Sequence, residues 1–205
     1  MRLGLYWVAR EPMTLGPVYL CLLGDDPAPA YLGLKVAARR AGGVARAIFY
    51  ALPAWNEGYE AKRRALFALL EEKGIPYEVR PLSEAAAPEE HGGEVFVNLT
   101  GGAKLWAVRL FGRWRRPQAW VFLIEAHRPL EAPRALFLWP EEEALSLEAE
   151  ALTLEEYARL YLKPLGETWV EAPPPPAFPP GARAAQLPQR GSGLFVVYRG
   201  RPYWF

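Results

Sequence analysis

Six consecutive residues, Val18-Tyr-Leu-Cys-Leu-Leu23, carry no charged side chain. A strand with one face in water alternates polar and apolar residues, whereas a run like this one needs cover on both faces, as parallel strands between helix layers have. The downstream segments supply those layers. Residues 29–41 read as a helix ended by Gly42-Gly43, residues 45–51 as a second strand, and residues 58–73 as a second helix. In that helix Leu66, Leu69 and Leu70 share one face, with Lys62, Arg63, Glu71 and Glu72 placed elsewhere. Gly74 stops it and Ile75-Pro76 leads into a strand at 77–80. After an acidic, alanine-rich connection at 81–93 come a strand at 94–98, a helix at 103–114 and a strand at 119–124. This alternation predicts an α/β, Rossmann-like parallel sheet flanked by helices, with right-handed crossovers placing helices on both faces. Residues 3–9 read as an accessory strand.

Beyond residue 128 the alternation stops. Residues 135–139 and 145–151 read as two strands joined by Pro140–Glu143, and Thr153 with Glu156 forms a capping box for a helix reaching about Leu162. Residues 172–193, rich in proline, read as a linker or extended arm. The tail 194–205 reads as a short strand, a turn and an aromatic end. It is too apolar to be free, so it is expected to pack on the sheet's exposed edge or on a partner subunit. The expected division is 1–128 for the Rossmann-like domain, 129–171 for a β-hairpin and helix extension, and 172–205 for the arm and terminal strand.

With 205 residues, 51% of them hydrophobic, the chain suits one domain with appendages. A net charge of +1 does not suggest a long nucleic-acid partner. The single cysteine, Cys21, cannot form an internal disulfide and reads as a buried core thiol, which fits a reducing cytoplasm. No secretory signal and no membrane-length apolar stretch is visible.

The chemistry concentrates in Glu94-Val-Phe-Val-Asn-Leu-Thr-Gly-Gly-Ala-Lys-Leu-Trp106, a strand, a glycine turn and a helix start. Glycine lets backbone N–H groups approach a ligand, and a helix N-terminus offers unpaired donors, so this turn forms a cradle for an anion such as phosphate. The pattern is not a P-loop, because its glycines are adjacent and Leu105 follows Lys104, and it is not a G-x-G-x-x-G fingerprint. In parallel sheets ligands bind outside the carboxyl ends of the strands. Three loops fall there: Gly24–Pro27, Thr100–Lys104 and Glu125–His127. Lys104 is the first candidate for a phosphate contact. Thr100 caps the helix or presents its hydroxyl to the ligand, and Asn98 reads a base edge or holds the turn. Asp25 and Asp26 accept hydrogen bonds from a ligand or shape their loop. His127 is an acid or base at a strand end, or a packing residue, and His91 reads as loop. Arg109, Arg113 and Arg116 share a helical face, either solvated or toward RNA or a partner, while Trp106 and Trp55 are core residues or stacking platforms. No zinc spacing, serine nucleophile elbow, paired-carboxylate pattern or third metal ligand beside the two aspartates is present.

The run Asn98-Leu-Thr100-Gly101-Gly102-Ala103-Lys104 resembles the CRISPR-associated Rossmann fold (CARF) family, whose strand ends in Asn-x-Thr-Gly-Gly-Thr-Lys ahead of a helix. Ala103 stands where the family has its second Thr. Val18–Gly33 is similar to the family's first strand and its proline-containing loop, and Leu152–Leu160 to the segment following the sensor domain. The resemblance implies a cytoplasmic sensor of cyclic oligoadenylate, the ring-shaped RNA messenger of type III CRISPR defence, with a tetra- or hexa-adenylate ring across a homodimer axis and no cofactor or metal. It implies ligand contacts at Gly24, Asp25, Asp26, Asn98, Thr100, Gly101, Gly102, Ala103, Lys104 and His127. If such a protein cleaves the ring, a ribose 2′-hydroxyl attacks the adjacent phosphate with Lys104 and Thr100 assisting. A nucleotide-binding regulatory protein unrelated to immunity is the remaining reading.

Overall fold

The structure, a computed structural model, describes residues 16–52, 57–85, 91, 93–125, 132–191 and 193–205. The expected accessory strand at 3–9 lies outside them. The alternation read from the sequence is present: β1 (Val18–Leu23), α1 (Ala28–Ala41), β2 (Arg46–Ala51), α2 (Glu57–Glu72), β3 (Tyr77–Pro81), β4 (Val95–Asn98), α3 (Lys104–Trp114) and β5 (Ala119–Glu125). Two further strands, β6 (Arg134–Trp139) and β7 (Glu143–Ser146), add antiparallel at one edge, giving the order β3-β2-β1-β4-β5-β6-β7. The uncharged run β1 is central, pairing in parallel with β2 and β4.

Because side chains alternate along a strand, β1 feeds two cores. Tyr19, Cys21 and Leu23 join the residues of α1 and α2 on one face, while Val18, Leu20 and Leu22 join Leu110 and Trp114 of α3 on the other. The strand after Pro140 is shorter than expected. It ends at Ser146, and residues 148–150 turn so that Glu150 reaches back to form an ion pair with Arg39.

The capping box is formed: Glu156 N donates to Thr153 Oγ1 (3.2 Å) and Thr153 N to Glu156 Oε2 (3.0 Å). The helix it starts, α4 (Leu154–Tyr157), widens into a π-helical turn at Ala158–Leu162 and then tightens at Lys163–Leu165. The extra residue in such a turn re-aims side chains. Here Tyr157 donates to Gly200 O (2.7 Å), and Tyr161 donates to Asp26 in the loop after β1.

The C-terminal region differs from its sequence reading. The stretch 172–193 is not a linker: it contains β9 (Arg183–Leu187), paired with β8 (Val170–Ala172) and β10 (Gly193–Tyr198), and β10 pairs with β11 (Arg201–Trp204). The tail is a hairpin within this second sheet, ordered β11-β10-β9-β8, and does not extend the main sheet's edge. Burial explains both corrections. Ala185, Leu187 and Phe195 face Tyr157 and the main core, while Ala184 and Val196 face the opposite side. The proline-rich segment folds over that side, setting Phe178 edge-to-face with Tyr203 (5.3 Å) and Phe205 (5.5 Å). Among the described residues no helix is long and apolar enough to cross a membrane.

This shared core has two measurable consequences. Phe195→Ala lowers stability by about 3–5 kcal/mol, and urea unfolding monitored by fluorescence and by circular dichroism stays a single transition. Burial pushes the Cys21 thiol up to about 12, so it resists disulfide reagents at pH 8 until the whole domain opens, and labelling of Phe195→Ala is faster. Its folded value lies above its unfolded one, so the stability it contributes is present below roughly pH 8.5 and declines as the pH rises beyond that.

Candidate ligand-binding corner

Asn98 ends β4 with 0% exposure, and its amide is engaged on both sides. Nδ2 donates to the Tyr19 hydroxyl and to Pro29 O, each at 2.9 Å, and Oδ1 accepts from Thr100 N (3.0 Å) and Thr100 Oγ1 (2.6 Å). Of its two sequence readings the structure takes one: Asn98 holds the turn and shows no edge to a base. Tyr19 passes the chain on, donating to Ala30 O at 2.7 Å, and burial raises its pKa well above the ordinary tyrosine value. Gly33 makes room for this joint, since a Cβ there would lie 2.2 Å from Asn98 Nδ2.

Thr100 does not cap α3. The N-cap is Ala103, which has no side-chain capping bond, and the Thr100 hydroxyl instead donates to Asn98 and accepts from Ile124 N at 2.6 Å. The turn is thereby tied to both β4 and β5, leaving its backbone as the exposed chemistry. The N–H groups of Gly101, Gly102 and Ala103 donate to no acceptor among the described residues. Gly101 lies so close to β1 that a Cβ would fall 2.0 Å from Leu22 O and 2.7 Å from Gly24 N, and Gly102 adopts φ 74°. Gly101 therefore admits no larger residue without moving backbone, and at Gly102 the positive φ strains any other residue.

These close approaches form the floor of a cleft of about 460 Å³ at the carboxyl ends of β1, β2 and β4. Gly24, Asp25 and Asp26 line it from the loop after β1, Thr100–Ala103 from the glycine turn, and Leu52 and Tyr59 from the far wall. Seven of the ten sequence candidates therefore meet at one cavity. Lys104 is exposed at the start of α3 and is not among the lining residues. Asp26, one residue before the N-cap Pro27, accepts from Ala28 N at 3.0 Å and from Tyr161, so it ties the loop to the start of α1 and to the C-terminal region. That contact and burial hold the Tyr161 hydroxyl far above its usual pKa, burial being the larger cause. Asp25 is exposed.

Sequence reading missed the far wall. It placed Arg63 off the buried face of α2, yet Tyr59, Arg63, Leu66 and Leu70 are all buried. Their spacing of four, three and four was the available signal, masked by the charge. Trp106 packs half-buried against the α3-side core with Arg109 over its ring, and His91 stacks on Trp114, so neither faces the cleft. His127 and Trp55 lie outside the described residues. Among the described residues no group of three or more His, Cys, Asp or Glu side chains is placed to hold a metal ion.

No family model and no curated protein matches the chain. Solved structures do. The seven-stranded, mostly parallel sheet and its flanking helices are those of a CARF-type Rossmann domain. In particular, the chain is similar to a type III CRISPR defence DNA nuclease activated by cyclic oligoadenylate, with 69% identity and a TM-score of 0.89 over 92% of this chain and 31% of that one. It thus spans about a third of that nuclease's length. It also shares its fold with Can2 from Sulfobacillus thermosulfidooxidans, solved with cyclic tetra-adenylate (19% identity, TM-score 0.53, covering 77% of this chain and 42% of that one). A Vibrio cholerae protein matches similarly (16%, 0.52, 77% and 41%).

The corner makes a sharp demand. Gly101→Ala must displace β1 backbone, so it is expected to lower the melting temperature by several degrees and to abolish ligand binding at the cleft; a variant with the wild-type melting temperature contradicts the close approach.

Proposed function

We propose that this domain senses cyclic oligoadenylate in type III CRISPR defence. The observation that carries the proposal is the glycine turn: Gly101, Gly102 and Ala103 line the cleft, their backbone N–H groups have no acceptor among the described residues, and Gly101 sits too close to the β1 backbone to carry a side chain. Such a surface suits an anionic oxygen, and the cleft has room for one nucleotide unit of a larger ring. The 69% identical nuclease, activated by cyclic oligoadenylate, supports that class of ligand, and Can2 with cyclic tetra-adenylate shares the fold.

In this reading phosphates lie on the amides of residues 101–104, with Lys104 adding a solvated charge at the mouth. Gly24 leaves space, Asp25 accepts hydrogen bonds from sugar or base, and Asp26 fixes the loop. Asn98 and Thr100 act from beneath, through the turn they hold. A ring larger than one cleft needs a second site opposite. Leu105 (60% exposed) and Val108 (70% exposed) make an apolar stripe on α3 directly after the glycine turn, which suits a second copy of this chain. Residues 1–128 then carry the ligand corner, with 129–171 and 172–205 as its buttress. The site of action is the cytoplasm, where Cys21 stays reduced. Binding is favoured over ring cleavage, because the Thr100 hydroxyl already serves Asn98 and Ile124.

Calorimetry with cyclic tetra- and hexa-adenylate is expected to give saturable heat with one of them, at one ring per two chains, weakening as salt rises. No heat with either ring from a folded sample contradicts the proposal.

A further inference from the structure

Behind the far wall of the cleft lies a buried cation that has no ion pair among the described residues. Arg63, on α2, is 7% exposed. Its Nη2 donates to Leu52 O at 2.6 Å and to the Tyr59 hydroxyl at 2.5 Å, and its guanidinium lies 4.1 Å from the centre of the Tyr59 ring. Its Nε is buried and has no hydrogen-bond partner. Among the described residues no carboxylate lies within 4.0 Å of it, although ion pairs are frequent elsewhere on this chain. Both of its acceptors are neutral, and both belong to residues that line the cleft. A guanidinium does not give up its proton in a protein, so it stays a cation where it is.

We infer that Arg63 supplies the positive charge that makes this cleft select an anionic ligand. An isolated buried charge is unfavourable unless an opposite charge comes close. Leu52 and Tyr59, the two residues that Arg63 contacts, both face the cleft. It runs between the Tyr59–Leu52 wall, with the guanidinium immediately behind, and the amide donors of Gly101–Ala103 across from it. A phosphate held there meets partial positive charge from the turn and a full one through the wall, with little water between to screen it. Lys104, which sequence reading favoured, is solvated at the mouth, where screening by salt is strongest. Asp25, exposed at the rim, makes no ion pair with Arg63. Arg201 is buried and likewise has no ion pair among the described residues, but it belongs to β11 and is not part of this cleft.

The inference rests on the cyclic oligoadenylate reading for the ligand's identity, not for its sign. The test uses the full chain as wild type, Arg63→Gln and Arg63→Lys, with melting curves to show that each is folded. With whichever ring binds the wild type, calorimetry is expected to show Arg63→Gln weakened by about tenfold or more, and Arg63→Lys within about fivefold, since lysine keeps the charge but not the fork. Binding by folded Arg63→Gln within about twofold of wild type overturns the inference. Should Arg63→Gln not fold, Arg63→Lys decides: a loss beyond about fiftyfold assigns the role to shape rather than charge, and also overturns it. If the wild type binds neither ring, the functional reading fails on its own. The charge is then tested with sodium tripolyphosphate, expected to raise the melting temperature of wild type and Arg63→Lys but not of Arg63→Gln; an equal rise in all three overturns it.

Discussion

One side-chain amide holds the corner together. Asn98 spends both hydrogens and both lone-pair directions of its amide oxygen on partners from three places: Tyr19 on β1, Pro29 at the start of α1, and Thr100 in the turn. A buried polar group is stabilising only when every bond is made, so the joint specifies one geometry rather than a family of them. With β1, α1 and the turn fixed to one point, Gly101 can lie against Leu22 and Gly24 at distances no side chain would allow. The turn that lines the cleft keeps its backbone N–H groups without acceptors among the described residues, and α3 adds its uncapped first turn beside it.

The rest of the molecule supports this corner from two directions. The main sheet supplies rigid strand ends. The C-terminal sheet, which shares its core with α1 and α2, reaches the ligand loop through the π-helical turn and the Tyr161–Asp26 contact. Asp26 therefore belongs to two structures, accepting from the first N–H of α1 and anchoring a residue more than a hundred positions away. Electrostatics follow the same logic. A chain with a net charge of +1 can still favour an anion locally if a cation is buried beside the site.

The main sheet was legible because periodicity and burial agree there: an uncharged β1 needs two helix layers, and Leu66, Leu69 and Leu70 mark the face of α2 that provides one. The glycine turn was legible because adjacent glycines between a strand and a helix start let backbone N–H groups come close to a ligand. The roles of Asn98 and Thr100 were not, since their partners Tyr19, Pro29 and Ile124 are distant in sequence and any polar residue beside a turn reads as a possible contact. Arg63 was hidden by its charge, which argues for solvent in any sequence pattern. Residues 172–193 misled because prolines signal an extended arm, whereas here they fold Phe178 over a sheet whose strand β9 is too alanine-rich to read as one.

Ligand recognition at this corner depends on amide hydrogens of the glycine turn receiving a negatively charged oxygen. A crystal structure with cyclic tetra- or hexa-adenylate tests it most directly. It should place a phosphate oxygen about 2.8–3.1 Å from N of Gly101 or Gly102, with the nucleotide between that turn and the Tyr59 wall. A ring bound elsewhere on the molecule, with the turn's amides facing water in the complex, would contradict it.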